Sequence, residues 1–182
     1  MNGRHALTLC LTLWVGCAAS PPFYLRRGAQ LGFIKRVAVF PFQNHSEDKF
    51  AAERMRDLVI TALLARGVFD VVPPEEVDAL LREEGLEEAS ALEASALRRM
   101  GRRLNVQAFM LGAVNRYEEE RRGSYAYPVV ALSLQLLDAD TGAILWRTSG
   151  ARSGYHTLGR LFGLAAEDVT QVSLRLVDEL LD

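Results

Sequence analysis

Val130-Ala131-Leu132-Ser133-Leu134-Gln135-Leu136-Leu137-Asp138-Ala139-Asp140-Thr141-Gly142-Ala143-Ile144-Leu145 is the stretch on which the fold turns. Val130, Leu132, Leu134 and Leu136 alternate with Ala131, Ser133 and Gln135, the period of two expected of a strand with one packed face and one half-polar face. The Asp-Ala-Asp-Thr-Gly run at 138–142 then forms a tight turn into a second strand, Ala143 to Ser149. A third strand-like run, Gln107 to Tyr117, lies upstream, joined to the first by the charged Glu118 to Ser124 (EEERRGS), which reads as a turn. The runs 107–117, 125–137 and 143–149 together describe an antiparallel meander.

Working outward, Arg36 to Phe42 (RVAVFPF) is β-branched and apolar on both faces, the signature of a central strand, and Pro41 marks its end or a bulge. Ser46, Glu47 and Asp48 supply a cap and an acidic first turn for a helix from about residue 48 to Arg66, with Ala51, Met55, Leu58, Val59, Ala62 and Leu63 on one face. Phe69 to Val72 reads as a short strand. Pro73-Pro74 opens a second helix that buries Val77, Leu80 and Leu81. Ser90 and Glu93 have capping-box spacing before a third helix to about Leu104, with Leu97, Met100 and Leu104 inward. A last helix from about Ala166 carries Val169, Val172, Leu176, Val177 and Leu180 at helical spacing. The fold class is therefore α/β (α+β): a mixed sheet with a C-terminal antiparallel meander, helices packed on the sheet and covering one side of the meander.

Composition narrows the function. Hydrophobic residues make up 49% and charged ones 24%, which excludes a disordered chain, and a net charge of −2 provides no global positive field for a nucleic acid. No apolar run reaches the roughly 20 residues of a spanning helix. Arg4 and His5 followed by the apolar Ala6 to Val15 and the small-residue run Gly16 to Ser20 form a secretory signal. Val15-Gly16-Cys17 resembles the lipobox of bacterial lipoproteins, in which the cysteine is diacylated and becomes the new N-terminus; Trp14 stands where that family favours leucine. The alternative is a plain cleaved signal with an incidental cysteine. On the lipobox reading residues 1–16 are the signal peptide, 17–34 a lipid-anchored tether rich in Pro, Gly and Arg, and 35–182 a single periplasmic domain. Removing Cys10 with the signal and acylating Cys17 leaves no free thiol, so the fold rests on no disulfide. Ala18, rather than Asp, after the cysteine leaves lipoproteins of some Gram-negative bacteria eligible for transport to the outer membrane, so the periplasmic face of that membrane is the expected location.

The chain offers little chemistry. His45 and His156 lie far apart without HxH or HExxH spacing, so neither a metal nor another cofactor is expected. Asn44-His45-Ser46 at a helix entrance reads as capping rather than as a nucleophile beside a base. Arg98, Arg99, Arg102 and Arg103 form a basic patch, either a surface for an anionic partner or, more simply, one paired with the nearby glutamates Glu83, Glu84 and their neighbours. Trp146 reads as core. One segment is out of place in a polar connection: Gly154 to Gly163 is apolar, aromatic and glycine-rich. Tyr155, Leu158, Leu161 and Phe162 are its candidate interface residues, a contact surface on one reading and a loop folded back over the core on the other.

Val37 to Asn44 (VAVFPFQN) resembles the first strand and turn of the CsgG-like lipoproteins, with similar domains in penicillin-binding-protein activator lipoproteins and the amino-terminal part of TolB. The Val130–Leu145 strand, Thr-Gly turn and strand resembles the same domains, and the element order agrees over about residues 35–181. The resemblance implies an envelope protein that assembles with copies of itself or with envelope partners and is not an enzyme. Curli-secretion lipoproteins donate two β-hairpins to a barrel; here Glu118–Ser124 and Ala151–Ala165 stand at those positions, one charged and both short, so no pore by this chain alone is expected. The resulting expectation is a lipid-anchored, non-catalytic interaction module in assembly or export of a cell-envelope or surface structure. A regulator docking on a peptidoglycan synthase comes second, and a periplasmic hydrolase with an unrecognised site third.

Overall fold

The computed structural model describes residues 22–29, 31–86, 93–157 and 166–182. They form one mixed sheet of seven strands: β1 (Phe23–Leu25), β2 (Arg36–Val39), β3 (Gln43–Asn44), β4 (Asp70–Val71), β5 (Ala108–Arg122), β6 (Tyr125–Asp138) and β7 (Ile144–Ser153). The order across the sheet is β1-β7-β6-β5-β2-β4, with β3 continuing beside β5. β2 runs parallel to β4 and β5, while β5, β6 and β7 form the expected antiparallel meander. The helices are α1 (Ala51–Arg66), α2 (Pro74–Glu83), α3 (Ala94–Leu104) and α4 (Val169–Leu181).

The apolar patterns sort the helices onto two faces. Met55, Val59 and Leu63 of α1 and Val172, Leu176 and Val177 of α4 pack on Val37, Val39, Met110, Val130, Leu132 and Leu134. The intervening residues of the same strands, Ala38, Phe40, Phe109 and Leu137, meet Val77, Leu80 and Leu81 of α2 and Leu97, Met100 and Leu104 of α3. Phe40 and Phe109 tilt together with ring centroids 4.7 Å apart. Helices thus lie on both faces of the sheet, but α2 and α3 cover only the end formed by β2, the start of β5 and the end of β6. Among the described residues, helices pack on the rest of the meander from its α1–α4 face alone.

Several local expectations change. Pro41 does interrupt the first strand: β2 stops at Val39, and the chain rejoins β5 as β3, where Gln43 pairs with Ala113. At Gly112 the crossing chain is so close that a Cβ would stand 2.6 Å from the Phe42 ring. α1 begins at Ala51 rather than near 48. Asp48 uses its carboxylate to accept from the Phe50 amide (2.8 Å), building a turn before the helix, and the cap residue Phe50 has no capping side chain. α3 begins at Ala94, and Ser90, expected to cap it, lies outside the described residues.

The charged Glu118–Arg122 is strand, not turn. β5 and β6 continue in register to Arg122 opposite Tyr125, closed by Gly123, whose φ of 68° suits the tight reversal. The hairpin strands are therefore longer than expected, though the outer half of β5 stays charged on both faces. β7 likewise runs to Ser153. Within the stretch read mainly as tether, Phe23–Leu25 adds a short strand to the sheet edge through β7.

Candidate docking surface

The face of the meander that no described helix covers is the feature the fold leaves unexplained, although Val129 and Ala131 on it are buried. Register and strand alternation place on it Ala113 of β5, Val129, Ala131, Ser133 and Gln135 of β6, and Arg147, Ser149, Ala151 and Ser153 of β7. From Gln135 to Tyr125 this face extends about 33 Å at strand rise. Its middle carries the short Ala113, Ala131, Ser133, Ser149 and Ala151, while the register also places Arg116, Glu118 and Glu120 of β5 on it, opposite Ala131, Val129 and Tyr127. At its inner end a groove of about 240 Å³ is lined by Pro41, Gln43, Ala113, Ser133, Gln135 and Arg147, where β3 leaves the sheet.

The outer end is aromatic. Tyr125 and Tyr127 stack with centroids 6.2 Å apart, and Tyr155 meets Tyr127 edge-on at 5.1 Å and Tyr125 at 5.9 Å. The Arg122 guanidinium lies over the Tyr155 ring at 5.6 Å. The Tyr127 hydroxyl donates to Glu120 Oε2 at 2.9 Å, and Glu120 and Glu118 both pair with Arg116. The Arg116 charge, and then the tyrosine hydroxyl, hold the Glu120 carboxyl below the usual range, while that same bond holds the Tyr127 phenol above its own. The Tyr125 hydroxyl is buried and has no hydrogen-bond partner among the described residues. Half-buried tyrosines, a guanidinium and a carboxylate in one patch suit recognition of a protein, since aromatic rings and Arg dominate binding energy at interfaces. The arrangement supplies no paired nucleophile and base.

Of the candidate interface residues, Tyr155 belongs to this cluster. Leu158, Leu161 and Phe162 lie outside the described residues, as does Cys17. His156 is exposed and its Nε2 lies 2.8 Å from Glu167 Oε1, while His45 is exposed in the turn before α1. Asn44 organises that turn, accepting from the Ser46 amide at 3.0 Å. On α3, Arg99 pairs with Glu84 at 2.7 Å and Arg103 with Glu83 at 2.6 Å as expected, whereas Arg98 donates to the Asp140 carbonyl instead. Trp146 is half-buried against the α1–α4 core. Among the described residues no three of His, Cys, Asp or Glu come together as a metal cluster, and no helix is long and apolar enough to cross a membrane. Reading the sequence missed Tyr125 and Tyr127, whose spacing of two beside Tyr155 three strands-ends away carries no signal until the hairpin register is known.

The model of the peptidoglycan-synthase activator LpoB family matches residues 16–151, three quarters of the chain and all of the hairpin. The chain belongs to the LpoB family. The match falls on the synthase-activator branch of the resemblance, not on the CsgG-like one. No curated protein sequence matches significantly. Among solved structures, a PelC dodecamer from Paraburkholderia phytofirmans is 21% identical and covers 88% of this chain and 95% of its own, with a TM-score of 0.62. Lipoprotein GNA1162 from Neisseria meningitidis is 19% identical over 79% of this chain and 99% of its own, at 0.56. Escherichia coli LpoB is 18% identical over 65% of this chain and 57% of its own, at 0.50. At these identities the three structures share the fold with this member of the LpoB family.

Proposed function

We propose that this chain is an envelope lipoprotein that regulates a peptidoglycan synthase by docking on it, with the uncovered sheet face and its tyrosine end as the docking surface. The observation that carries the reading is the family match across residues 16–151. It moves synthase docking ahead of assembly or export of a surface structure, the order in which the sequence alone ranks them. The protein does no bond chemistry in this account. It holds the synthase by the charged and polar side chains of that face and by aromatic anchors that lose water on contact. Acylation of Cys17 would hold this partner at the periplasmic face of the outer membrane. Leu158, Leu161 and Phe162, which follow Tyr155 in the chain, are proposed to join the contact.

The test is the rate of glycan polymerisation by a purified synthase of the same envelope, measured with and without saturating protein. Stimulation is expected; an unchanged rate with no measurable binding would overturn the reading. Labelling with a palmitate analogue that is lost in Cys17→Ala is expected of the anchor. A second reading, assembly of this chain with copies of itself, is favoured by the fold shared with the PelC dodecamer over 95% of that chain. Mass measurement of the acylated protein in detergent distinguishes the two, a large closed oligomer favouring the second.

A further inference from the structure

The edge strand β1 presents a different surface. Phe23, Tyr24 and Leu25 are 68%, 52% and 45% exposed, three consecutive large apolar or aromatic side chains on the outermost strand of the sheet. Such a run on an unprotected edge is normally blunted by charge within it or covered by another element. Here the charge stands beside it instead. Arg26 and Arg27 follow directly, and Arg147, paired in register with Tyr24, projects from the same face. All three are exposed, and among the described residues none of their guanidinium groups has a hydrogen bond or ion pair.

The length of chain before β1 says what lies opposite. Pro22 is already fixed to the body, its carbonyl accepting from Thr148 Oγ1 at 3.3 Å, and the Arg26 amide closes the other end of the strand on Leu145 at 2.9 Å. Only four residues separate Cys17 from Pro22, five backbone steps with a reach of about 17 Å at full extension. An acyl chain on Cys17 therefore keeps this edge at the bilayer whatever path the tether takes. Aromatic side chains favour the membrane–water interface, and arginines beside them favour anionic headgroups.

We propose that β1, with Arg26 and Arg27, is a membrane-contact edge that lays the domain on an anionic bilayer surface, so that the acyl anchor holds it in one orientation rather than as a free tethered body. This rests on the reading of Cys17 as the acylated residue. The orientation stands the sheet away from the membrane on its β1 edge and leaves the uncovered face of the meander open sideways to a partner.

The mature chain has no cysteine besides Cys17, so Tyr24→Cys and, as a control on the outside of α4, Leu174→Cys can each carry a polarity-sensitive fluorophore. The full acylated protein is reconstituted into vesicles of phosphatidylcholine and phosphatidylglycerol, with and without brominated acyl chains. Quenching several-fold stronger at 24 than at 174 is expected, with the difference reduced when Arg26→Glu and Arg27→Glu are added. Equal quenching in protein that floats with the vesicles would overturn the inference while leaving the anchor standing. Protein that does not float would overturn the anchor and the inference together. Cross-linking of position 24 to a second copy, without quenching, would assign the edge to self-association and refute the membrane contact.

Discussion

Arg56 is the buried charge on which the relation between the two helical layers depends, and replacing it is the sharpest test of the packing described. It is 8% exposed on α1, and its Nε and one terminal nitrogen both donate to the Val39 carbonyl at the end of β2, at 3.2 and 2.8 Å. The same guanidinium reaches Asp78 of α2 at 2.9 Å. It thus joins α1 on one face, the strand between, and α2 on the other. Arg56→Ala removes a charge-assisted bond to a backbone carbonyl, about 1.5–3 kcal/mol. The Asp78 contact adds at most about 1 kcal/mol, because that carboxylate is 41% exposed and screened by water. With the lost packing of the aliphatic stem, a destabilisation of about 3–4 kcal/mol is expected, or roughly 10 °C in the melting midpoint of a domain this size. Arg56→Met keeps the stem and should recover about 1 kcal/mol of it. Urea titration of the mature domain, with the slope checked for constancy, measures both. A loss below about 1 kcal/mol in Arg56→Ala would refute the clasp.

Gly112→Ala places a methyl 2.6 Å from the buried Phe42 ring and should destabilise by about 1–3 kcal/mol; adding Phe42→Leu should return part of that loss, and strict additivity in the double mutant would contradict the clash. Glu167 is held below the usual carboxyl range by the His156 contact and by Arg175. Its depressed value means that it contributes stability above the ordinary glutamate range and loses that contribution as pH falls through its own lower value. Glu167→Gln should therefore flatten the acid limb of the stability curve, as read by urea midpoints at successive pH values; an unchanged limb would remove the role. Tyr127→Ala and Tyr155→Ala should each weaken synthase binding at least about tenfold with little change in melting, whereas Tyr127→Phe, which forfeits only the Glu120 bond, should weaken it less. Unaltered titration isotherms for the alanine variants would exclude the tyrosine end from the interface.

What the sequence made legible and what it hid have a common physical reason. Where a segment packs against the core, its pattern survives in the chain: the alternation Val130–Leu136 names buried residues, and the α4 stripe from Val169 to Leu180 and the α1 stripe from Ala51 to Leu63 name residues that are buried or, at Val169, Leu58 and Ala62, partly buried against the core. The outer hairpin has water on much of both faces, so Arg116, Glu118 and Glu120 share one face by pairing with one another, and a ribbon of charges reads as a turn. β1 is three residues set among Pro and Arg, and its strand character comes from the β7 edge, a partner more than a hundred residues away. The bare face of the meander was half visible, since Ala131, Ser133 and Gln135 read as half-polar. That α2 and α3 would stop short of it is a matter of where β2 and β4 lie, which local pattern does not encode. Tyr155 was legible as an aromatic out of place in a loop, but its company with Tyr125 and Tyr127 depends on hairpin register.

The central claim is that a peptidoglycan synthase docks on the uncovered face. The most direct measurement is site-specific photo-cross-linking from Ala151, exposed on that face, against Leu174, exposed on the outside of α4, in acylated protein mixed with the purified synthase. The account predicts a strong cross-linked product from position 151 that Tyr155→Ala diminishes, and none from position 174. Equal products from the two positions, or a product from 174 alone, would contradict it.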